Sequence, residues 1–529
     1  MSEAEPSPGE PSKGSPVSTI AALLVGGLIV GAGLLLSRTE EFSIIIVSMD
    51  TTRLDRLSTY GAERPTSPSL TRLANEGVRF TQARSSSSWT LPAHVSLFSG
   101  QPAGVHGVNI DFQRMDPERP VLGRLFKDAG YRTVGLYTAP YVHPRFGFGA
   151  GMDFYEGMTA NPMAYDLTPG QMQRERGLRE GFSHQEITSP LAASRMSWFV
   201  NNRDSPKNLF FLHLFDPHYD YRAPARFTRS MVDARYAGSI QGDGIMEQVA
   251  LGNIGPEMTA ADLDQLKNLY DAEISFTDKH LGDVIAAVER EGLEGRVLVV
   301  VLADHGEEFF EDGRFGHRMS LRDEVIRVPL VFWGPGIIPE GLVIDDEVTL
   351  YDVLPTLLDY AGLEPQPDVW GRSLRPLIEG QSLPPRPSSS QLIYVRQGER
   401  DHFTRHDGLV LQGTKVVRRV QVPWSPENDR DMAAEPDWST VEYDVYDLAA
   451  DPGETHDLYD ANPDAPRVLA VLAALEQELQ AQQAAGSSAE ALQFGAGDSM
   501  ARIDLMEQLS ALGYLTGQDQ AGSSDETGR

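Results

Sequence analysis

Two runs of β-branched and aliphatic residues, SIIIVSMD at 43–50 and VLVVVLADHG at 297–306, each end in an aspartate and constrain the fold more than any other feature. Neither run alternates apolar with polar residues. A strand of that kind is buried on both faces, which requires a parallel sheet with helices above and below it. The intervening chain fits. TPSLTRLANEGVRF and RPVLGRLFKDAGYRTVGLYTA each read as an amphipathic helix, a stop at Gly77 or Gly130, and a strand. FVNNRDSPKNLFFLHLFDPHYDY supplies a further strand ending at His213, Asp216 and His218, and LDQLKNLYDAEISFTDKHLGDVIAAVEREG a long helix. Strands alternating with helices predict an α/β fold, a three-layer sandwich around a mostly parallel sheet. Functional side chains of such sheets gather at the carboxyl ends of strands, where Asp50, Asp304 and His305 stand. Taken singly, Asp50 could equally open a turn or cap a helix, and Asp304-His305 could be an ordinary strand-end turn.

The stretch SSSSWTLPAHVSLFSG at 85–100 places the hydroxyl of Thr90 where turn-prone serines give way to an apolar helical run. The first backbone N–H groups of a helix are unpaired within it, so an anionic ester held at its start is stabilised there. The formal charge of −31 argues against a nucleic-acid partner, and an anionic substrate needs a local positive centre, for which a metal is the natural source. The chain has no cysteine, so no disulfide informs on compartment.

Residues 1–16 have the Pro, Ser, Glu and Gly composition of a disordered tail. VSTIAALLVGGLIVGAGLLL, within 17–37, is an uncharged run of bilayer length and is expected to be a transmembrane anchor, with a cleaved signal and a buried core helix as rivals. With Lys13 before it and Arg38 after it, charge hardly orients the span; an extracytoplasmic body, periplasmic or at the cell surface, is the expectation. The catalytic domain is expected over 42–385 and a small antiparallel α+β subdomain over 386–485. Its strands are LIYVRQ, DGLVLQGTKVVRRVQV and VEYDVYDL, with a C-terminal helix and tail over 486–529. Segments 160–190 and 222–258, where substrate specificity would reside, match nothing specific, and the oligomeric state is not legible.

Several strings together resemble the sulfatase family of the alkaline phosphatase superfamily: SMDTTRLDRLSTYG, RPTSPSLTRLANEGVRFTQARSSSSWTLPAHVSLFSGQPAGVHGV, FFLHLFDPH, LADHGEEF, GHRMSLRDEVIRVPLVFWGPG and YDLAADPGETHDL. The resemblance runs from about Phe42 to Leu458, and MEQLSALGYL is similar to the tail of many members. It implies a metal-dependent hydrolase of sulfate or phosphate esters that works through a covalent intermediate. The departures are as informative. Sulfatases of the usual type carry C/S-x-P-x-R, whose Cys or Ser becomes formylglycine, and here the aligned residues are Thr90-Leu91-Pro92-Ala93-His94. Oxidised threonine would be a ketone, so the site instead resembles the threonine nucleophile of the superfamily's phosphodiesterases, phosphoethanolamine transferases and lipoteichoic acid synthases.

The resemblance implies one divalent metal ion held by Asp50, Thr90, Asp304 and His305. An imidazole ligand favours zinc or manganese over the calcium of common sulfatases, which uses oxygen donors. Thr90, His94, His218 and His317 take catalytic positions in this comparison, and His213 and Arg53 substrate positions, although His94 could be a structural helix-start residue. Arg53 could bind the ester's oxyanions or pair with a carboxylate. His106 is expected to pack locally, Asp271 and Asp278 to lie on a solvated or salt-bridged helix face, and Glu307 and Glu308 to be helix-entry charges. A phosphoryl-group transferase of the cell envelope and a catalytically silent binding protein are the alternative functions.

Overall fold

The computed structural model of the chain describes residues 41–158 apart from 112 and 117, then 187–394, 402–423, 435–486 and the pair 492–493. The expected N-terminal tail and the span at 17–37 lie outside the described residues, as does nearly all of 486–529. Among the described residues no helix is long and apolar enough to cross a membrane.

The main sheet contains β1 (Ser43–Met49), β2 (Val78–Arg84), β3 (Arg132–Tyr137), β4 (Phe154–Gly157), β5 (Asn208–Leu214), β6 (Val297–Leu302), β7 (Leu330–Trp333) and β8 (Leu342–Thr349). Across the eight-stranded sheet the order is β8-β2-β7-β6-β1-β5-β3-β4. All pairings are parallel except those of β7, which runs antiparallel to both β2 and β6. The unbroken apolar run of β1 explains its central place. Ile44 and Ile46 enter the core on one face, Ile45 and Val47 the core on the other, and all four are fully buried.

Helices cover both faces. α1 (Pro68–Asn75), α4 (Ser189–Asn201) and the 31-residue α5 (Ala260–Arg290) bury Leu70, Met196, Tyr270 and Ile274 on the face of Ile45. On the opposite face α2 (Thr90–Ser99), α3 (Leu122–Asp128) and α6 (Val353–Tyr360) bury Phe98, Phe126 and Leu357. The three-layer α/β sandwich expected from the sequence is thus the observed fold. Three strands escaped the sequence reading, among them the four-residue edge strand β4. β7 has only four residues, and β8 is an edge strand whose LVIDDEVT combines exposed acids with a register shift between Ile344 and Glu347.

The C-terminal sheet is antiparallel, in the order β9 (Ser388–Tyr394), β10 (His402–Leu411), β11 (Thr414–Pro423), β12 (Asp437–Asp447). α7 (Pro466–Gly486) packs on it through Val468, Val471 and Leu475. This sheet grips the loop before α2. Gln391 N–H donates to the Ser86 carbonyl (2.8 Å), Ser390 Oγ to the Ser85 carbonyl (2.6 Å) and Ser87 Oγ to the Gln391 carbonyl (2.8 Å).

Three further sequence expectations are corrected or refined. No helix starts at Glu307 or Glu308; both are fully buried, and Glu308–Phe309 pairs with Phe315–Gly316 in a short hairpin. The Asp312-Gly313 turn between those strands lets the chain double back toward the site. Asp271 is buried and salt-bridged to Arg56 at 2.6 Å, and Asp278 is buried with its carboxylate accepting the Ser69 and Leu70 N–H groups at the start of α1.

Candidate active site

β1 and β6 are neighbours in register, so Asp50 and Asp304, just past their carboxyl ends, fall side by side. Thr90, 215 positions before His305, opens α2 and brings Oγ1 to 3.3 Å from His305 Nε2. The same Nε2 lies 3.5 Å from Asp304 Oδ2 and 3.9 Å from Asp50 Oδ1. The four groups expected to converge do converge, and all are buried. Local backbone enforces it. Thr51 sits in the left-handed region at φ 50°, unusual for a β-branched residue, and its N–H donates to Asp304 Oδ1 (3.2 Å) while its carbonyl accepts from the Tyr270 hydroxyl (2.6 Å). At Gly306 a Cβ would meet the Glu324 carbonyl oxygen at 2.1 Å, so the glycine of Asp-His-Gly is a packing requirement.

Hydrogen-bond logic fixes what these groups present to one another. His305 Nδ1 is 2.9 Å from the Gly306 carbonyl, which can only accept, so Nδ1 carries the proton and Nε2 carries a lone pair. Asp304 Oδ1 accepts from the N–H groups of Thr51 and His305, which leaves Oδ2 without a hydrogen bond. Both oxygens of Asp50 also lack one. A lone pair and two carboxylate oxygens therefore face each other in a buried pocket with no hydrogen bond between them. Such a donor set fits a divalent cation and is costly without one. Burial, opposed by His305 and the Thr51 N–H, pushes the Asp50 carboxyl up to about 7, the direction expected of an uncompensated carboxylate.

His94 and His213 are also central and adjoin the two carboxylates, His94 Nδ1 lying 3.5 Å from Asp304 Oδ2. His94 Nδ1 donates to the Thr90 carbonyl (2.9 Å), so its Nε2 accepts from the Ser48 hydroxyl (3.1 Å). His213 Nε2 is 3.1 Å from Asp50 Oδ2, and its ring is held by Thr138 Oγ1. Burial pushes both imidazoles down to about 4. With Asp304 they form a second buried trio, but the proton on His94 Nδ1 makes that trio a scaffold for the carboxylates. The substrate position expected for His213 therefore becomes one against Asp50. Arg53, for its part, pairs with carboxylates. Its guanidinium bonds Asp55 (2.8 Å), Glu311 (2.7 Å) and the Glu307 carbonyl (2.9 Å).

His218 and His317 adjoin the opening. Their ring centroids are 5.0 Å apart, and that of His317 is 4.6 Å from His305. His218 Nδ1 donates to the Tyr219 carbonyl (2.8 Å), and His317 Nδ1 lies 2.8 Å from Glu307 Oε1. Burial, with Asp50 and Glu308 nearby, pushes the Glu307 carboxyl well up, and the Asp50 share of that push is one a cation would cancel. Glu307 was missed as a site residue because an acid pair after Asp-His-Gly looks like a solvated helix start; the absence of any helical period after it was the available signal.

A buried hydroxyl at a helix start thus stands beside two carboxylates and an imidazole on the carboxyl edge of an α/β sheet. The chain belongs to the sulfatase family, whose pattern it matches over residues 43–363; residues 307–424 also match the C-terminal region of N-sulphoglucosamine sulphohydrolase. It is 22% identical over 487 residues to an N-acetylglucosamine-6-O-sulfatase of Bacteroides thetaiotaomicron, covering 80% of this chain and 83% of that one. Among solved structures, the phosphonate monoester hydrolase of Agrobacterium radiobacter superposes with a TM-score of 0.63 at 19% identity, over 83% of this chain and 96% of that one. A structure in complex with its substrate D-glucosamine-2-N,6-O-disulfate superposes with a TM-score of 0.59 at 18% identity, over 85% and 98%.

Proposed function

We propose that this sulfatase-family hydrolase uses Thr90 as its nucleophile, with a divalent cation held by Asp50, Thr90, Asp304 and His305, and that it acts on phosphate or phosphonate esters in preference to sulfate esters. The observation that carries the reading is the proton-free meeting of His305 Nε2, Asp50 Oδ1 and Asp304 Oδ2 beside Thr90 Oγ1. A divalent cation at that place would supply the charge that favours the threonine alkoxide and offsets charge on the ester oxygens. Zinc or manganese suits the nitrogen ligand, with calcium the less suited choice.

In the proposed sequence Thr90 Oγ1, its proton lost to solvent, bonds to the phosphorus while the bond to the leaving oxygen breaks. His317 protonates the departing alkoxide, and His218 contacts the ester oxygens. Water then attacks the phosphorus of the Thr90 ester, gives a proton back to His317 and frees the threonine. Thr90 offers one oxygen, whereas a formylglycine hydrate has a second hydroxyl able to expel the bound oxyanion. Resolution must therefore occur by attack at phosphorus or sulfur, and this favours phosphoryl chemistry. The resemblance to a phosphonate monoester hydrolase supports the same direction. An alcohol in place of water would make the enzyme a transferase.

The test is metal analysis of the purified chain with a panel of nitrophenyl phosphate monoesters, diesters, phosphonates and sulfates. Turnover of the sulfate alone, with bound calcium, would overturn the phosphoryl preference. No turnover of any probe, unchanged in Thr90→Ala, would leave a silent binding protein. The uncharged run within 17–37 supports a membrane-tethered, extracytoplasmic body, and protease digestion of intact cells tests it.

A further inference from the structure

We infer that Glu307 is the positioning residue that sets His317 apart as the leaving-group acid, a role that rests on the hydrolase reading above. Three imidazoles ring the opening, and each is tied through Nδ1. For His305 and His218 the tie is a backbone carbonyl, that of Gly306 (2.9 Å) and Tyr219 (2.8 Å). Only His317 is tied to a carboxylate, Glu307 Oε1 at 2.8 Å, with the two side chains 0% and 1% exposed. A carboxylate accepting from Nδ1–H fixes the tautomer and the ring plane, and directs Nε2, on the ring's opposite edge, to the proton transfer.

The backbone around the pair is built to hold it. Gly306 N–H donates to the Val325 carbonyl (2.6 Å), and Arg53 donates to the Glu307 carbonyl, so residue 307 is fixed on both sides. His317 closes the Glu308–Gly316 hairpin. The next residue, Arg318, takes φ 70° and donates its N–H to the Ser88 carbonyl (3.1 Å), two positions before the nucleophile. Its guanidinium stacks 4.0 Å above the Trp89 ring. The hairpin bearing His317 is thereby clamped to the loop bearing Thr90. The hydrogen bond from His317 Nδ1 is thus held in place from both sides of the pair.

The step it serves is balanced within the reaction already given. His317 Nε2–H passes its proton to the departing alkoxide as the phosphorus–oxygen bond breaks, leaving the neutral Nδ1–H ring on Glu307, and recovers a proton from the attacking water.

The experiment compares Glu307→Gln, His317→Ala and the double variant in the full chain supplied with zinc or manganese. The probes are 4-nitrophenyl phosphate, whose leaving group needs no acid, and phenyl phosphate, which gains from one. Glu307→Gln is expected to lower kcat on phenyl phosphate roughly ten- to a hundred-fold, with KM unchanged and a loss of a few-fold at most on the nitrophenyl ester. In the double variant kcat should be no lower than in His317→Ala. Equal losses on both probes, or losses that multiply in the double variant, overturn the inference while the hydrolase reading stands. A wild type that turns over neither probe overturns both. Nitrogen-15 spectra of histidine-labelled wild type, with His317 assigned by its loss in His317→Ala, read the tie without any Glu307 variant having to fold. A proton on Nδ1 is expected whether or not Nε2 is also protonated, and a neutral ring protonated at Nε2 alone in the metal-loaded protein overturns it.

Discussion

Thr90 and His305 show how much a single atom decides. Because the Gly306 carbonyl accepts from Nδ1–H, Nε2 is left as an acceptor beside carboxylate oxygens of Asp50 and Asp304 that lack hydrogen bonds, with the Thr90 hydroxyl 3.3 Å away as the proposed nucleophile. Thr90→Ala should lower kcat on the best probe on the order of a thousand-fold or more, while Thr90→Ser keeps measurable turnover, as steady-state kinetics would show. Away from the site, His106 accepts the Val108 N–H at Nδ1 (3.0 Å) and bonds Ser96 through Nε2 (2.9 Å), so a second proton has no place. Burial, helped by Arg119, pushes it from 6.5 down to about 3. A depressed folded-state pKa means its contribution is complete above the unfolded value and is lost as pH falls. Urea unfolding should show a loss of about 1.4 kcal/mol per pH unit between about 6.5 and about 3 that His106→Gln removes. Pattern placed Asp50, Asp304 and His305 at strand ends and Thr90 at a helix start, and the family resemblance is what joined the four into one set. Ser85 to Ser88, read as turn formers, are fully buried and hydrogen-bond across the fold, and nothing local announces partners some 300 positions away.

Elements were legible where burial on two faces or a long helical period marked them. Thus β1, β6 and α5 read directly, as did α1 and β2 on either side of Gly77. Strand β7 did not, since four residues between prolines and glycines carry no period, and its antiparallel run is imposed by neighbours distant in sequence. Likewise, the start of α1 is completed by a residue about 208 positions away in the chain, Asp278, which accepts the Leu70 and Ser69 N–H groups at 2.9 and 2.8 Å. Asp278→Ala leaves both donors buried. It should cost about 1–3 kcal/mol, read as a lower urea midpoint at an unchanged slope.

At the scale of the whole molecule, the two sheets are joined by a buried network of charges. Asp323 takes hydrogen bonds from Arg84 (2.9 Å) and Lys415 (3.3 Å), and Lys415 also reaches Glu454 (2.7 Å). Against burial, which would raise it, Arg84 and Lys415 hold Asp323 well below the usual carboxylate range. Lys415→Met takes the bonded cation from Glu454 and leaves Asp323 to Arg84, and should cost about 3–5 kcal/mol by urea unfolding, whereas pairing it with Glu454→Gln should recover part of that loss. Binding of a cation links site and fold in the same way. Chelation should abolish turnover and, relative to cation at a hundred times its dissociation constant, remove about 2.7 kcal/mol of stability; readdition of zinc or manganese restores both. The strand order carries one more implication, for the chain as it is made. Among the described residues the strand partners of β2, which leads to α2, are β7 and β8, so that strand has no place in the sheet until residues 330–349 have left the ribosome. Until then Val78, Phe80 and the apolar helix behind them lack their cover in the nascent polypeptide, and this is the interval in which a chaperone would matter most.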